Sequence, residues 1–250
     1  MSLKNRIDII LPNYNSSKYI NETIKSVLHQ TYKNWRLFII DDASDKKTQT
    51  ILKKIKSKKI KIIYLKKNRG AGYCRNLALK KVNSDFIAFL DSDDIWSKNK
   101  LKIQLKFMLK NNYKFSYTNY QTFYHGTKKL KKIRIPLKIN FEQFVKNTSI
   151  ATSTMMIRKK IAKSVKFTNT DICEDYFYKC AILKKVNIAY CLKNFTTKYR
   201  IRKNSLQSNK LKNFYWIWKI NSEFNKFNFT KNFLSLFSIC LSSIRRYGLK

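Results

Sequence analysis

Short apolar runs alternate with stretches of helical periodicity over the first ninety residues, and this alternation is the feature that most limits the fold. The apolar runs, the first of them ended by Pro12, predict strands at residues 7–11, 35–40, 60–65 and 86–90. Helical spacing predicts helices at 17–30, with Ser16 or Ser17 as N-cap, at 46–55 and at 71–82. This order indicates an α/β fold with a mostly parallel central sheet and flanking helices.

A polar cluster follows each of the four predicted strands. The clusters are residues 13–15, 41–42, 68–70 and 91–93. In a parallel sheet ligands bind outside the carboxyl ends of the strands. We therefore expect the four clusters to converge on one crevice.

The remaining sequence has a looser pattern. It predicts helices at 98–109, 141–146 and 174–186, strands at 115–120, 153–157, 188–191 and 195–201, and a hairpin within 121–134. Two amphipathic helices, 209–227 and 232–247, form a C-terminal tail that combines aromatic residues with lysines. That composition suits a helix lying in the plane of a membrane surface, and the equal alternative is a helical pair packed on the rest of the protein.

The chain is strongly basic, with 54 Lys and Arg against 14 Asp and Glu and a net charge of +40. One interpretation is a surface that meets polyanions, and the other is a compositional bias that places lysine wherever solvent allows. Because the lysines are spread over the whole chain, we favour the bias as the larger cause. Attraction to an anionic membrane is then a side effect, of roughly 1 kcal/mol per basic residue near the bilayer.

The five cysteines form no C-x-x-C pair, which disfavours both a zinc site and a disulfide framework. A reducing compartment is the simplest inference. The N-terminus has no signal-peptide pattern, and the longest nearly uncharged stretch, Asn232–Ile244, is too short to span a bilayer. We expect a cytoplasmic protein, and peripheral attachment to the inner membrane face stays open.

Asp91-Ser92-Asp93 places two carboxylates around a small residue directly after a predicted buried strand. Mg²⁺ and Mn²⁺ prefer oxygen ligands and commonly bridge to phosphate oxygens. A helix N-cap or an Asp-rich turn is the alternative. Since acids are scarce in this chain, their clustering here favours a cation site.

Taken together, the motifs resemble those of family 2 glycosyltransferases, especially the bacterial members that build teichuronic acids, capsules and O-antigens. The resemblance covers most of residues 6–210 and rests on motifs in the same order as in the family: residues 10–15, 26–32, 41–44, 68–70, 74–76, 89–94, the pair Glu174-Asp175, and the basic segment 199–205.

The resemblance implies a GT-A fold, with a nucleotide-binding half over about 1–97, an acceptor-binding half over about 98–210, and a helical tail over 211–250. It implies transfer of a sugar, with inversion, from a nucleotide-sugar donor to a hydroxyl of a glycan or lipid-linked acceptor. UDP is the expected nucleotide, and Mg²⁺ or Mn²⁺ the expected cofactor. No specific nucleic-acid partner is expected.

The resemblance also implies roles for individual residues. Asp175 is the expected general base, with Glu174 supporting it. Asp91 and Asp93 are the expected metal ligands, with Asp91 also contacting the nucleotide and Asp94 a further candidate. The other expected nucleotide-binding residues are Pro12, Tyr14, Asp42, Arg75 and Arg202, with Arg200 a weaker candidate for the diphosphate.

Two other functions compete with this one. A nucleic-acid-binding or membrane-binding protein without transferase activity would account for the basic, aromatic-rich surface, although no known nucleic-acid-binding module is present. A nucleotidyltransferase would also use metal-binding acids, although it would need a glycine-rich, lysine-bearing loop where this chain has residues 12–15.

Overall fold

The computed structural model describes residues 5–124, 127, 129–202 and 210–248. Its strands are β1 (Ile7–Asn13), β2 (Trp35–Asp41), β3 (Ile60–Tyr64), β4 (Phe86–Phe89), β5 (Ile95–Trp96), β6 (Phe115–Tyr124), β7 (Lys131–Ile133), β8 (Lys138–Asn140), β9 (Met156–Arg158) and β10 (Ile188–Ile201). Its helices are α1 (Ile20–Leu28), α2 (Lys46–Lys53), α3 (Ala71–Lys81), α4 (Lys100–Lys110), α5 (Phe141–Asn147), α6 (Lys159–Ala162), α7 (Glu174–Val186), α8 (Lys210–Glu223) and α9 (Phe229–Tyr247).

The strands join into one mixed sheet in the order β3-β2-β1-β4-β9-β6-β10-β5, with β7 added beside β6 and β8 beside β10. The first four strands in this order are parallel, as the alternating sequence predicts. Strand β9 runs antiparallel to both β4 and β6 and so joins the two halves of the sheet. The second half contains the parallel pair β6 and β10.

Burial on both faces explains the continuous apolar runs of the parallel strands. Along β1, Ile7, Ile9 and Leu11 enter one core cluster, whereas Ile10 enters the cluster on the opposite face. The alternation follows from the two-residue period of a strand. Helices therefore cover both faces, and the polar strand ends are left at the rim.

Pro12 does not end β1, contrary to the sequence prediction, because the strand continues to Asn13 with Pro12 opposite Ile40. The last backbone hydrogen bond on the side of β1 that faces β4 runs from the Leu90 N–H to the Ile10 carbonyl. Pro12 faces the same side, beyond the end of that ladder. Its missing N–H therefore removes no strand-to-strand bond.

Three further boundaries differ from the prediction. Helix α1 begins at Ile20 without a side-chain cap; the Ser16 hydroxyl donates instead to Asn13 Oδ1. Residues 152–154 form a 3-10 turn ahead of β9, where a strand was predicted from residue 153. The two strands predicted at 188–191 and 195–201 are one strand, β10, with irregular register between Leu192 and Thr197.

The C-terminal helices pack on the rest of the protein, as one of the two alternatives for the tail predicts, and binding to a membrane surface stays a prediction. Asn221 of α8 accepts a 2.7 Å hydrogen bond from the Tyr176 hydroxyl of α7 and donates to Asn232 and Ser235 of α9. The Ser235 hydroxyl donates to the carbonyl of Val145 on α5 at 2.7 Å. Among the described residues, no helix is long and apolar enough to cross a membrane.

Candidate active site

The carboxyl ends of β1 and β2 are tied together by buried polar side chains. Asn13 Nδ2 donates to Asp41 Oδ1 at 2.7 Å, and the Asp42 N–H donates to the Asn13 carbonyl at 2.8 Å. The Ser44 hydroxyl accepts from the Asn15 N–H at 2.9 Å. Asp41 is therefore an internal support of the crevice floor.

Asp42 holds the loop that precedes α3. Its two carboxylate oxygens accept from the N–H groups of Arg69 and Gly70, each at 2.8 Å. Gly70 has φ of +85°, a left-handed conformation that glycine adopts without strain. The predicted base-binding residue thus also fixes the 68–70 cluster beside the crevice. Tyr14 stands nearby with 49% of its surface exposed, while Pro12 is buried within β1.

Arg75 connects three elements at the centre of the site. From α3, its Nη2 donates to Asp91 after β4 at 2.7 Å, and its Nη1 donates to Glu174 at the start of α7 at 2.5 Å. The guanidinium lies over the Phe167 ring, 5.4 Å from its centroid. Burial acts to lower the pKa of Arg75, but Asp91 and Glu174 outweigh it and raise that pKa. Arg75 is therefore a fixed cation between the two predicted halves.

The carboxylates after β4 meet the end of β10. Asp93 Oδ2 forms an ion pair with Arg202 Nε at 2.8 Å, and Asp94 Oδ1 accepts from the Arg200 N–H at 2.9 Å. Burial raises the pKa of Asp93, against the lowering effect of Arg202, and Asp91 adds to the rise. Burial and the neighbouring carboxylates likewise raise the pKa of Asp94 well above its usual range.

This crowding of acids fits a divalent cation. Asp91 and Asp93 are each neutralised here by an arginine, Arg75 and Arg202 respectively. The described residues contain no group of three or more His, Cys, Asp or Glu arranged as a metal site. A cation at this position would therefore be held by one or two carboxylates and would complete its shell with phosphate oxygens and water, which suits Mg²⁺ or Mn²⁺.

Asp175 lies in the first turn of α7. Its Oδ2 accepts from the Thr152 hydroxyl at 2.7 Å and from Lys179 Nζ at 2.6 Å. Burial acts to raise the pKa of Asp175, but the cations Lys179 and Arg75 lower it far below the usual range. The carboxylate is thus held ionised and oriented by Thr152 and Lys179.

The 3-10 turn at 152–154 joins the two parts of the site, and the sequence did not predict it. Thr152 contacts Asp175, and the adjacent Ser153 hydroxyl accepts from the Asp91 N–H at 3.0 Å. Lys179, which also contacts Asp175, was likewise missed. Its position four residues after Asp175 on a predicted helix is the signal that could have indicated the pair.

Arg200 and Arg202 occupy different environments. Arg200 is buried, and its side chain donates to the Asp93 carbonyl and to Glu22. It therefore joins β10 to α1 and to the carboxylate loop, a structural role that the sequence did not suggest. Arg202 is more exposed and reaches the Asp93 carboxylate. Residues 203–205 of the same basic segment lie outside the described residues.

Comparison with known proteins decides the family. Residues 8–173 match the family described as Glycosyl transferase family 2. TuaG of Bacillus subtilis (strain 168), named as a glycosyltransferase of teichuronic acid biosynthesis, is 35% identical over 228 residues, which cover 90% of each chain. The chain belongs to glycosyl transferase family 2.

Two further proteins are similar to this family 2 glycosyltransferase. The Escherichia coli protein WfgD, named UDP-Glc:alpha-D-GlcNAc-diphosphoundecaprenol beta-1,3-glucosyltransferase, is 37% identical over 219 residues, covering 87% of this chain and 86% of WfgD. Staphylococcus aureus TarS, solved with UDP-GlcNAc, superposes with a TM-score of 0.73 at 20% identity, over 96% of this chain and 73% of the TarS chain. The latter likeness bears on the fold alone, and the fold is GT-A as expected. Membership of this family supports a transferase and not the nucleic-acid-binding alternative.

Proposed function

We propose that the protein transfers a sugar, with inversion, from a UDP-sugar to a hydroxyl of a glycan or lipid-linked acceptor in cell-surface polysaccharide synthesis. The observation that carries this proposal is the pairing of Arg75 with both Asp91 and Glu174. It places the predicted donor-binding carboxylates beside the α7 N-terminus, where Asp175 stands. The names of TuaG and WfgD support the pathway class and the donor.

The nucleotide-binding half comprises about residues 1–97 in this proposal. Tyr14 offers an exposed aromatic face on which uracil can stack, and Pro12 shapes the strand end below it. Asp42 accepts a hydrogen bond from a uracil N–H, using lone pairs left over by its two backbone partners. Arg75 fixes Asp91 toward the ribose.

The diphosphate lies at the carboxylates that follow β4. A bound Mg²⁺ or Mn²⁺, held by Asp91 and Asp93, would neutralise charge on the leaving diphosphate. Arg202 exchanges its ion pair with Asp93 for phosphate oxygens, which a guanidinium binds in a bidentate manner. Arg200 stays in its buried position and holds the carboxylate loop in place.

Asp175 is the general base of the transfer. The acceptor oxygen bonds to the anomeric carbon while its proton passes to the Asp175 carboxylate. The bond between that carbon and the diphosphate oxygen breaks, and its electron pair leaves with the diphosphate. One displacement without a covalent enzyme intermediate inverts the anomeric centre. Thr152 and Lys179 orient the carboxylate throughout.

The acceptor half comprises about residues 98–210, and 211–250 form the tail. WfgD acts on a sugar linked to diphosphoundecaprenol, as its name states. We extend this acceptor class to the present enzyme, which would then work at the cytoplasmic face of a membrane without crossing it. The strongly basic composition suits such a peripheral position.

Two measurements test the proposal. Calorimetric titration with UDP, GDP and TDP, each with and without Mn²⁺, should show manganese-dependent binding selective for UDP. Transfer from labelled UDP-sugars to a GlcNAc-diphospho-lipid should be lost in Asp175→Asn, while UDP binding is kept. Asp171→Asn is the matched control, since Asp171 lies just before α7 and its side chain is 66% exposed. Binding of no nucleotide by the folded protein, or full activity of Asp175→Asn, would refute the proposal.

A further inference from the structure

Helix α9 turns three phenylalanines outward, whereas its buried positions are two polar residues and one apolar residue, Asn232, Ser235 and Ile239. Phe229, Phe233 and Phe237 are 74%, 56% and 56% exposed, although each is a large aromatic residue. The buried face carries Asn232 and Ser235, which take part in the hydrogen bonds to α8 and α5. A helix that only packs on a domain places its apolar face against the core, so the orientation of α9 needs another explanation.

The exposed residues form one continuous stripe. Their spacing of four residues, and of three at the last step, keeps successive members on the same face of the helix. The outward stripe consists of Phe229, Phe233, Phe237, Leu241 and Ile244, with Leu234 beside it. The stripe is about 22 Å long at 1.5 Å per residue.

Helix α8 extends this surface. The Trp218 ring meets the Phe229 ring edge to face, with centroids 5.3 Å apart. Tyr215 and Leu211 are exposed one and two turns earlier on α8. Aromatic residues with a polar atom, such as Trp and Tyr, favour the interface between water and lipid. The α8–α9 apolar surface is defined here as Leu211, Tyr215, Trp218 and the α9 stripe.

The positive charge of the residues around this surface indicates which partner it binds. Residues 210–248 contain seven Lys or Arg and one acid, Glu223. Lys226, three residues before α9, and Arg245, in its last turn, are both exposed. A second copy of the chain would bring the same positive charges together, whereas anionic lipid headgroups would attract them while the acyl region accepts the apolar stripe.

We propose that the α8–α9 apolar surface inserts in the plane of an anionic lipid surface and holds the enzyme there. This inference rests on the proposed function in one respect, because a lipid-linked acceptor gives such docking its purpose. The docking helix is also connected to the active site. Tyr247 at the end of α9 shares a 2.7 Å hydrogen bond with Tyr120, whose ring packs edge to face against Tyr199, the neighbour of Arg200.

The test is co-sedimentation of the full chain with vesicles of phosphatidylglycerol and phosphatidylcholine. The double variant Phe233→Gln, Phe237→Gln should lose at least tenfold in affinity for the anionic vesicles. A matched control is Leu130→Gln, Leu137→Gln, which removes two exposed leucines that belong to neither α8 nor α9 and should stay within twofold of the parent. Pure phosphatidylcholine should bind the parent weakly.

Each outcome decides the proposal. Unchanged vesicle binding by the phenylalanine variant, or no vesicle binding by the parent, would overturn it. A concentration-dependent dimer of the parent that the variant loses, without any effect on vesicle binding, would show that the stripe joins two copies. Thermal unfolding and UDP titration of the same variant report its folding and its donor site. Because vesicle binding needs no substrate, a failure here is distinct from a failure of the proposed transferase reaction.

Discussion

Lys179 Nζ lies 2.6 Å from Asp175 Oδ2, one helical turn further along α7, and the lysine side chain is almost fully buried. A buried ammonium group is stable only beside a compensating charge, and here that charge is the proposed catalytic base. The pair fixes the direction of the carboxylate and holds its pKa low, together with Arg75. In the proposed reaction, Lys179 is therefore a positioning residue.

Lys179→Met should raise the pKa of Asp175 by about 1–3 units, the usual effect of losing an opposite charge beside a carboxylate, and so shift the acidic limb of kcat/KM from below the assay range in the parent to a higher pH. Without the ammonium group the pKa of Asp175 rises, so the base becomes protonated, and activity is lost, at a higher pH. Lys179→Arg should restore much of the parent profile, and UDP affinity should be unchanged. Lys185→Met, an exposed position on the same helix, is the control. An unshifted limb would limit Lys179 to a structural role.

Lys100 is a second buried lysine, and it lies beneath the turn that carries Thr152 and Ser153. Its Nζ contacts Gln104 Oε1, approaches the Thr154 carbonyl at 3.4 Å and lies 4.7 Å from the centre of the Trp96 ring. No carboxylate pairs with it among the described residues. Burial lowers the pKa of Lys100 to about 7.

Lys100→Met should reduce the increase in the free energy of unfolding that accompanies a rise in pH above 7. In the parent, the unfolded chain binds a proton at this lysine up to about pH 10.4, whereas the folded chain releases it near pH 7, so the free energy of unfolding gains up to ~1.4 kcal/mol per pH unit between these values. Urea unfolding at pH 7, 8 and 9 measures the slope. Lys102→Met, an exposed change on α4, should keep the parent slope. Equal slopes in the parent and Lys100→Met would contradict a neutral buried lysine.

Gly72 allows α3 to approach the segment before α7. A Cβ atom there would lie 2.6 Å from the Thr168 carbonyl oxygen and 3.0 Å from Glu174 Cγ. Gly72→Ala should therefore destabilise the protein by roughly 1–3 kcal/mol, the usual effect of overpacking, and weaken UDP binding through the Arg75–Glu174 pair. Thermal unfolding and calorimetry measure the two effects.

Gly70→Ala is the informative comparison for Gly72→Ala. No atom lies within 4 Å of a Cβ built at Gly70, so its φ of +85° is the only obstacle. The expected loss is about 1–3 kcal/mol of backbone strain, without a direct effect on Glu174. A UDP affinity of Gly72→Ala equal to that of the parent would show that the close approach at Gly72 does not support the site.

The sequence predicted the parallel half of the sheet well because its signals are local. Residues 7–11, 35–40, 60–65 and 86–90 lie within or overlap β1–β4, and helix α7 has the predicted bounds. The short strands β5 and β8 were missed because each contains at most three residues, too few to show a period. The turn at 152–154 was missed because its hydroxyl partners, Asp175 and the Asp91 backbone, are remote in the chain.

By itself, the sequence determined the order of strands and helices and the positions of the polar clusters, since both follow from the alternation of apolar and polar residues along a continuous stretch. Tertiary structure alone decided which of two nearby arginines is buried, which cation lies against Asp175, and which face of α9 meets water. These outcomes depend on contacts between distant segments, where burial and charge pairing are set by the packing of the whole chain.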